Sequence, residues 1–109
     1  MSNVFEKAMP MKYEFIGEFR KYKEEDTCGW NFLFVPGDLA KEIRAIHKHQ
    51  EEGWGRMKVT AKIGSSEWKT SVWFDTKNDT YLLPIKAEIR KKEKIEMTAG
   101  NEVKTTIWI

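Results

Sequence analysis

Apolar and polar residues alternate over 57–63, and this pattern limits the fold more than any other feature of the chain. The apolar members are Met57, Val59, Ala61 and Ile63, with Lys58, Thr60 and Lys62 between them. A repeat of two residues is typical of a β-strand with one buried face. Gly64-Ser65-Ser66 then predicts a tight turn, and residues 68–74 are the expected hairpin partner.

Further strands are predicted on both sides of this hairpin. The segment 12–20 alternates in the same way, with its inward face formed by Tyr13, Phe15, Gly17 and Phe19. Shorter apolar runs predict strands at 30–35 and 81–83, and a final strand covers 102–109. Residues 1–11 are expected to form an N-terminal extension, and 12–109 a single domain.

Two helices are predicted between these strands, at about 38–51 and about 86–94. The first is amphipathic, with Leu39, Ile43 and Ile46 predicted to face the core. The second is rich in basic residues and packs through Ile89. The chain is therefore expected to be mainly β, with two helices beside the sheet.

A weak internal similarity suggests how these elements are arranged. A shift of 46 residues aligns 39–63 with 85–109, and seven of the 25 positions are then identical. Pro36 and Pro84, which end the preceding strands, are two residues out of this register. The similarity predicts a pseudo-twofold barrel in which each half contributes one capping helix. The alternative is a chance likeness between charged helix faces.

Charge and cysteine content narrow the functional class. The 109 residues include 19 basic and 17 acidic side chains, and the formal net charge is +2. Dedicated nucleic-acid binders are usually more basic than this. Cys28 is the single cysteine, so an intrachain disulfide and a cysteine-based zinc site are both excluded. No apolar run approaches the ~18 residues of a membrane span, and a cytoplasmic location is expected.

Several strings together resemble one bacterial family, the domain of unknown function DUF1905. They are Gly53-Trp54-Gly55-Arg56, Val59-Thr60-Ala61-Lys62-Ile63-Gly64, Trp68-Lys69-Thr70-Ser71, Tyr81-Leu82-Leu83-Pro84-Ile85-Lys86-Ala87 and Gly100-Asn101-Glu102-Val103. The resemblance covers residues 12–109 and implies a small double-split β-barrel with helices capping its ends. AbrB- and MazE-type regulators share that architecture. The resemblance supplies no reaction, cofactor or catalytic residue.

The residue types that usually carry catalysis show no working arrangement in this sequence. His47 and His49 are two residues apart on a predicted helix, so they point in different directions and are expected to be solvated. Cys28 has no identifiable base or cation beside it. Phosphate-binding and hydrolase motifs are absent from the sequence. We therefore predict no catalytic residue, no metal and no cofactor, and an enzyme of unknown reaction is the minor alternative.

Four residues are candidates for binding a ligand or a partner: Trp54, Arg56, Lys86 and Arg90. Glycines on both sides of Trp54 would let another molecule approach the backbone, and Arg56 could hold an anion. The structural alternative is a tight turn in which Trp54 plugs the end of the barrel. Trp73 and Trp108 lie opposite the inward rows of their strands, and the sequence leaves open which of them is exposed.

The sequence thus favours a non-catalytic ligand-binding or protein-interaction barrel, either monomeric or weakly dimeric. A ligand at a barrel mouth would need a pocket of roughly 300 Å3 or more. Nucleic-acid binding is the alternative, by analogy with the regulators that share the barrel. That alternative would use the basic run Arg90-Lys91-Lys92 together with Arg20 on one face.

Overall fold

The structure is a computed structural model that describes residues 10–21, 31–96 and 98–109. Several sequence features lie outside these residues, namely most of the predicted extension, the charged turn before Cys28, Cys28 itself and Trp30.

Six antiparallel strands form a closed barrel in the order β1-β2-β5-β4-β3-β6. The strands are β1 (Lys12–Lys21), β2 (Asn31–Phe34), β3 (Arg56–Ile63), β4 (Ser66–Asp75), β5 (Thr80–Leu83) and β6 (Glu102–Trp108). The helices are α1 (Gly37–His47) and α2 (Ala87–Glu93), with short 3-10 turns at Lys48–Gln50 and Gly53–Gly55. The mainly β barrel with two helices is therefore confirmed.

The barrel interior is filled by the apolar rows that the alternating pattern predicts. On β3 the four inward residues are buried and the residues between them are more exposed to solvent, as a period of two requires. The inward row of β1 is also buried, with Phe19 fully enclosed. Large side chains from every strand complete one continuous core, including Leu33, Trp68, Val72, Tyr81 and Ile107.

The strand pairing has the twofold symmetry that the internal similarity predicts. Exchanging β1 with β4, β2 with β5, and β3 with β6 leaves the strand order of the barrel unchanged. Ala61 lies opposite Ile107, which is its equivalent under the 46-residue shift. Phe34 lies opposite Leu82, and these two residues are as far apart in sequence as Pro36 and Pro84.

Both helices are shorter than predicted. α1 ends at His47 and a 3-10 turn follows, so the predicted range 38–51 is too long. Ile46, predicted to face the core, is 43% exposed. α2 covers 87–93 instead of 86–94, and Lys94 ends it in a left-handed conformation.

Polar contacts fix each helix to the barrel. The buried His47 bonds through Nε2 to the Tyr13 hydroxyl at 2.9 Å and through Nδ1 to Gln50 at 2.9 Å. The expectation that His47 is solvated is therefore wrong. Glu93 of α2 accepts hydrogen bonds from Ser65 and Ser66, at 3.2 and 2.5 Å, at the turn between β3 and β4.

Within the described part of the chain, neither helix has the length and apolar character that crossing a membrane requires.

Candidate functional site

A groove of about 560 Å3 lies on the outer face of the barrel, across β3 and β4 and beside the end of β6. We call it the Trp groove. It is lined by Pro10, Arg56, Lys58, Val59, Thr60, Lys69, Thr70, Ser71, Trp73, Trp108 and Ile109. Its volume is in the range of small-molecule sites, but it lies outside the barrel and not at a mouth leading into the interior.

Strand register brings the two tryptophans of the groove together. Trp73 lies opposite Arg56 in the β3–β4 ladder, and Trp108 lies opposite Thr60 in the β3–β6 ladder. Lys58, which falls between Arg56 and Thr60 along the outer face of β3, therefore lies between the two rings. Both tryptophans are half-buried. Neither tryptophan is therefore the single exposed one, since both are half-buried and both line the same groove.

The groove is positively charged. Arg56, Lys58 and Lys69 contribute three cations, and no Asp or Glu is among the lining residues that the structure describes. Arg56 pairs with Glu52 at 3.0 Å, and both side chains are about half exposed. Lys58 and Lys69 form no ion pair within the described residues. Their charges are therefore available to an anionic ligand.

The symmetry-related face of the barrel has a different character. Each β3–β4 residue pair of the groove has an equivalent pair on β6 and β1. Where the groove has Trp73 opposite Arg56, the symmetry-related face has Glu18 opposite Glu102. In the same way Glu14 replaces Lys69, while Lys104 is the counterpart of Lys58. The counterpart of Trp108 is Lys62, so this face has no aromatic residue at the equivalent positions. Fold symmetry alone therefore does not account for the tryptophans of the groove.

Trp54 projects from a tight turn immediately before Arg56. Its side chain is 93% exposed and its backbone is left-handed, with φ 68°. The Glu52 amide donates to the Arg56 carbonyl at 2.6 Å, which closes the turn beneath it. Gly55 packs on Phe74, since a Cβ added at Gly55 would lie 3.2 Å from the Phe74 Cβ. The alternative in which Trp54 plugs the barrel end is therefore wrong.

The two remaining candidates lie elsewhere. Lys86 immediately precedes α2, and Arg90 donates from Nε to the Ile85 carbonyl at 3.3 Å. Neither lines the Trp groove. Arg20, which the nucleic-acid alternative would join to this helix, pairs with Glu18 at 3.0 Å. The structure thus groups Trp54 with Arg56 and separates both from Lys86 and Arg90.

A second basic surface lies on the other side of the Trp54 turn. This basic cleft, of about 270 Å3, is lined by Lys41, Arg44, Ala45, Lys48, Phe74 and Asp79. The Arg44 guanidinium lies 3.8 Å from the centre of the Phe74 ring and 3.3 Å from Glu51. Sequence reasoning missed this cleft because its residues come from α1, β4 and the turn before β5.

A buried polar network lies behind the basic cleft. The Tyr81 hydroxyl donates to Glu51 at 2.6 Å, and the same carboxylate accepts from Arg44. Burial, together with the neighbouring carboxylate, raises the pKa of Tyr81 far above its ordinary value. A phenol held neutral in this way cannot act as a base near neutral pH. The network instead ties α1 and the segment after it to the barrel.

Among the described residues, no three His, Cys, Asp or Glu side chains converge as a metal site would require. The groove itself contains neither a histidine nor a carboxylate side chain. What the groove offers is flat apolar surface, three cations and the hydroxyls of Thr60 and Ser71. Those groups suit binding and lack the acid–base pair that catalysis commonly uses.

Comparison with protein-family models gives a match over residues 15–107, to the family described as Domain of unknown function (DUF1905). The match includes both helices, four complete strands and most of β1 and β6. No curated protein matches the chain.

Proposed function

The chain belongs to the DUF1905 family, and we propose that this member is a non-catalytic domain that binds an anionic ligand with a planar ring in the Trp groove. The observation that carries the proposal is the placement of Lys58 between Trp73 and Trp108 in a groove whose described lining residues include no Asp or Glu.

The two halves of the proposed ligand follow from the two kinds of side chain. A planar ring stacks on the face of an indole, which gains about 0.5–1.5 kcal/mol beyond the area it buries. An anionic group beside exposed cations gains about 0.2–1 kcal/mol for each pair. A few such contacts correspond to a dissociation constant in the micromolar to millimolar range.

The contrast with the symmetry-related face supports the same proposal. A barrel of this topology needs no tryptophan on its outer surface, since Glu18 and Lys62 occupy the equivalent positions. Outward-facing apolar rings do not contribute to the core, and clusters of them mark interaction sites. The tryptophans and the basic residues also coincide on one face of the barrel.

Adenosine 5′-monophosphate is a suitable probe because it combines a planar ring with a dianionic phosphate. We expect its titration to shift the indole N–H resonances of Trp73 and Trp108 in NMR spectra, and to leave that of the buried Trp68 unchanged. Uncharged adenosine should produce the same pattern at a concentration about tenfold higher, because it lacks the phosphate.

Trp73→Ala and Trp108→Ala are the matched variants for this titration. Each should weaken binding of the nucleotide about tenfold, and neither removes a fully buried side chain. An absence of shifts at both indoles up to millimolar nucleotide would contradict the proposal. Shifts that appear first on the β1–β6 face would contradict it as well.

A protein partner is the second candidate function, and one observation favours it. Trp54 is almost fully exposed on a turn held by backbone and side-chain contacts between Glu52 and Arg56. Tryptophan and arginine are enriched at the energetic centres of protein interfaces. Self-association through this turn would appear as a concentration-dependent mass in sedimentation, and Trp54→Ala should abolish it.

A further inference from the structure

We infer that the ligand class for which the Trp groove is built is single-stranded nucleic acid. The strand would run from the groove across Trp54 to the basic cleft. This inference rests on the proposed function and extends it, because it requires the two basic surfaces to act together.

The two surfaces are linked by the Trp54 turn. Trp54 is two residues before Arg56, which lines the Trp groove. Phe74 lies beneath the turn, in contact with Gly55, and also lines the basic cleft. Trp73, the neighbour of Phe74 on β4, faces outward into the groove. Trp73 and Phe74 point to opposite sides of β4, so the groove and the cleft are separate surfaces that both border the Trp54 turn.

Cations are present on both surfaces. Lys58 and Lys69 lie in the groove beside Arg56, which pairs with Glu52, and Lys41 and Lys48 line the cleft. Arg44 also lines the cleft, but Glu51 already pairs with it. Among the described residues, Asp79 is the one Asp or Glu that lines either surface, and Glu52 lies beside Arg56 at the turn between them. A mononucleotide could reach only part of this set, whereas a chain of phosphates could neutralise several cations at once.

Aromatic side chains alternate with these cations. Trp108 and Trp73 are on either side of Lys58, and Trp54 follows on the far side of Arg56. Single-stranded nucleic acids are bound by such surfaces, in which bases stack on aromatic rings and basic residues follow the phosphates. An acidic peptide would match the charges but would leave the three indoles without planar partners. Paired bases in a duplex are not free to stack on them.

The net charge of +2 is compatible with this inference because the charges are unevenly distributed. The symmetry-related face carries carboxylates at Glu14, Glu18 and Glu102, and the first two pair with Lys12 and Arg20. Basic side chains outnumber acidic ones in the groove and the cleft, although the two kinds are nearly equal in number over the whole chain. A local basic patch of this kind gives modest affinity with a strong dependence on salt.

The test uses a fluorescently labelled oligothymidylate of about ten nucleotides, a length within the range that small barrels cover. Its binding to the whole chain is followed by fluorescence anisotropy at several salt concentrations. We expect the oligonucleotide to bind at least tenfold more tightly than adenosine 5′-monophosphate. Affinity should fall steeply with salt, by a power of about 0.7 for each phosphate contacted.

Two variants separate the extended site from the groove alone. Trp54→Ala and Lys48→Glu should each weaken the oligonucleotide about tenfold and leave binding of the mononucleotide unchanged. Both residues are exposed, so the fold should tolerate these changes. Lys104→Glu is the control because it makes the same change of charge on the symmetry-related face, which lies across β6 from the groove.

The outcomes distinguish the two proposals. If the mononucleotide binds and the oligonucleotide binds no more tightly, this inference fails and the proposed function stands. If neither binds, both fail. Equal losses from Lys48→Glu and Lys104→Glu would overturn the inference, since attraction would then depend on total charge alone. Equal affinity for a duplex, or for an acidic peptide of the same charge, would overturn it as well.

Discussion

Gly17→Ala is expected to destabilise the barrel, although it adds a single methyl group. Gly17 is buried in β1, and a Cβ at this position would lie 2.6 Å from Cγ of Leu33 and 2.9 Å from its Cδ2. Carbon atoms at optimal separation are ~3.5–4.0 Å apart. Leu33 is fully buried, and it is held between Phe19 on one neighbouring strand and Leu83 on the other. Either Leu33 or β1 must therefore move by about 1 Å.

Two opposing effects determine how far Gly17→Ala lowers the free energy of unfolding. Overpacking a well-filled core costs about 1–3 kcal/mol. Replacing glycine by alanine recovers about 0.4–1 kcal/mol, because the unfolded chain has less conformational freedom to lose. The expected net loss is about 1–2 kcal/mol, which for a domain of this size lowers the melting temperature by roughly 4–10 °C.

Urea unfolding followed by circular dichroism measures this loss as a lower midpoint with an unchanged slope. Gly53→Ala is the matched control, since a Cβ there meets no atom within 4 Å. It should leave the midpoint unchanged or raise it slightly. A Gly17→Ala protein as stable as the original would show that Leu33 does not fill this space.

A double-mutant cycle tests the cause. Leu33→Ala alone should cost about 2–5 kcal/mol, because it leaves a cavity in the core. Combined with Gly17→Ala, the added methyl occupies part of that cavity, so the double variant should be at least ~1 kcal/mol more stable than the sum of the single losses. Additive losses would refute the close approach of Gly17 and Leu33.

Three further outcomes are expected, each measured by urea unfolding. Tyr81→Phe should lower the free energy of unfolding by about 1–2 kcal/mol, because it removes the hydroxyl that donates a hydrogen bond to Glu51. Since folding raises the pKa of Tyr81, the stability of the original protein should also fall as the pH rises above ~10, and that of the variant should fall less. Burial and, to a smaller extent, the charge of His49 lower the pKa of His47. The free energy of unfolding should therefore fall as the pH drops below ~6.5, and it should depend less on pH in the His47→Gln variant. Trp54→Ala should leave stability within ~0.5 kcal/mol of the original, as for other exposed positions.

The sequence was most informative where periodicity and burial coincide. Each alternating row at 12–20 and 57–63 corresponds to one inward face of the barrel, because a closed barrel buries one side of every strand. The internal similarity predicted the symmetric pairing of the strands. It held because β3 and β6 meet at equivalent residues, Ala61 and Ile107.

Contacts between residues far apart in the sequence could not be predicted in the same way. His47 was expected to be solvated because it and His49 point in different directions on the predicted helix, yet its hydrogen-bond partner Tyr13 lies 34 residues earlier in the chain. The end of α1 was placed too late because residues 48–51 lack a strong helix-breaking signal. The 3-10 turn there brings Gln50 to the other nitrogen of His47.

The candidate site was predicted in part. Trp54 and Arg56 were singled out from the glycines around them, and Trp73 and Trp108 from the alternation of their strands. The groove itself depends on which residues of β3, β4 and β6 lie opposite one another. Alternation places Lys58 and Lys69 on the outer face, but only the strand register brings them beside the two indoles.

We propose that one face of this pseudo-symmetric barrel binds an anionic aromatic ligand and that the symmetry-related face does not. Lys58 and Lys104 occupy equivalent positions on the two faces, so Lys58→Glu and Lys104→Glu change the net charge identically. Calorimetric titration with adenosine 5′-monophosphate should show about tenfold weaker binding for Lys58→Glu and unchanged binding for Lys104→Glu. Equal effects of the two substitutions, or a larger effect of Lys104→Glu, would contradict the account.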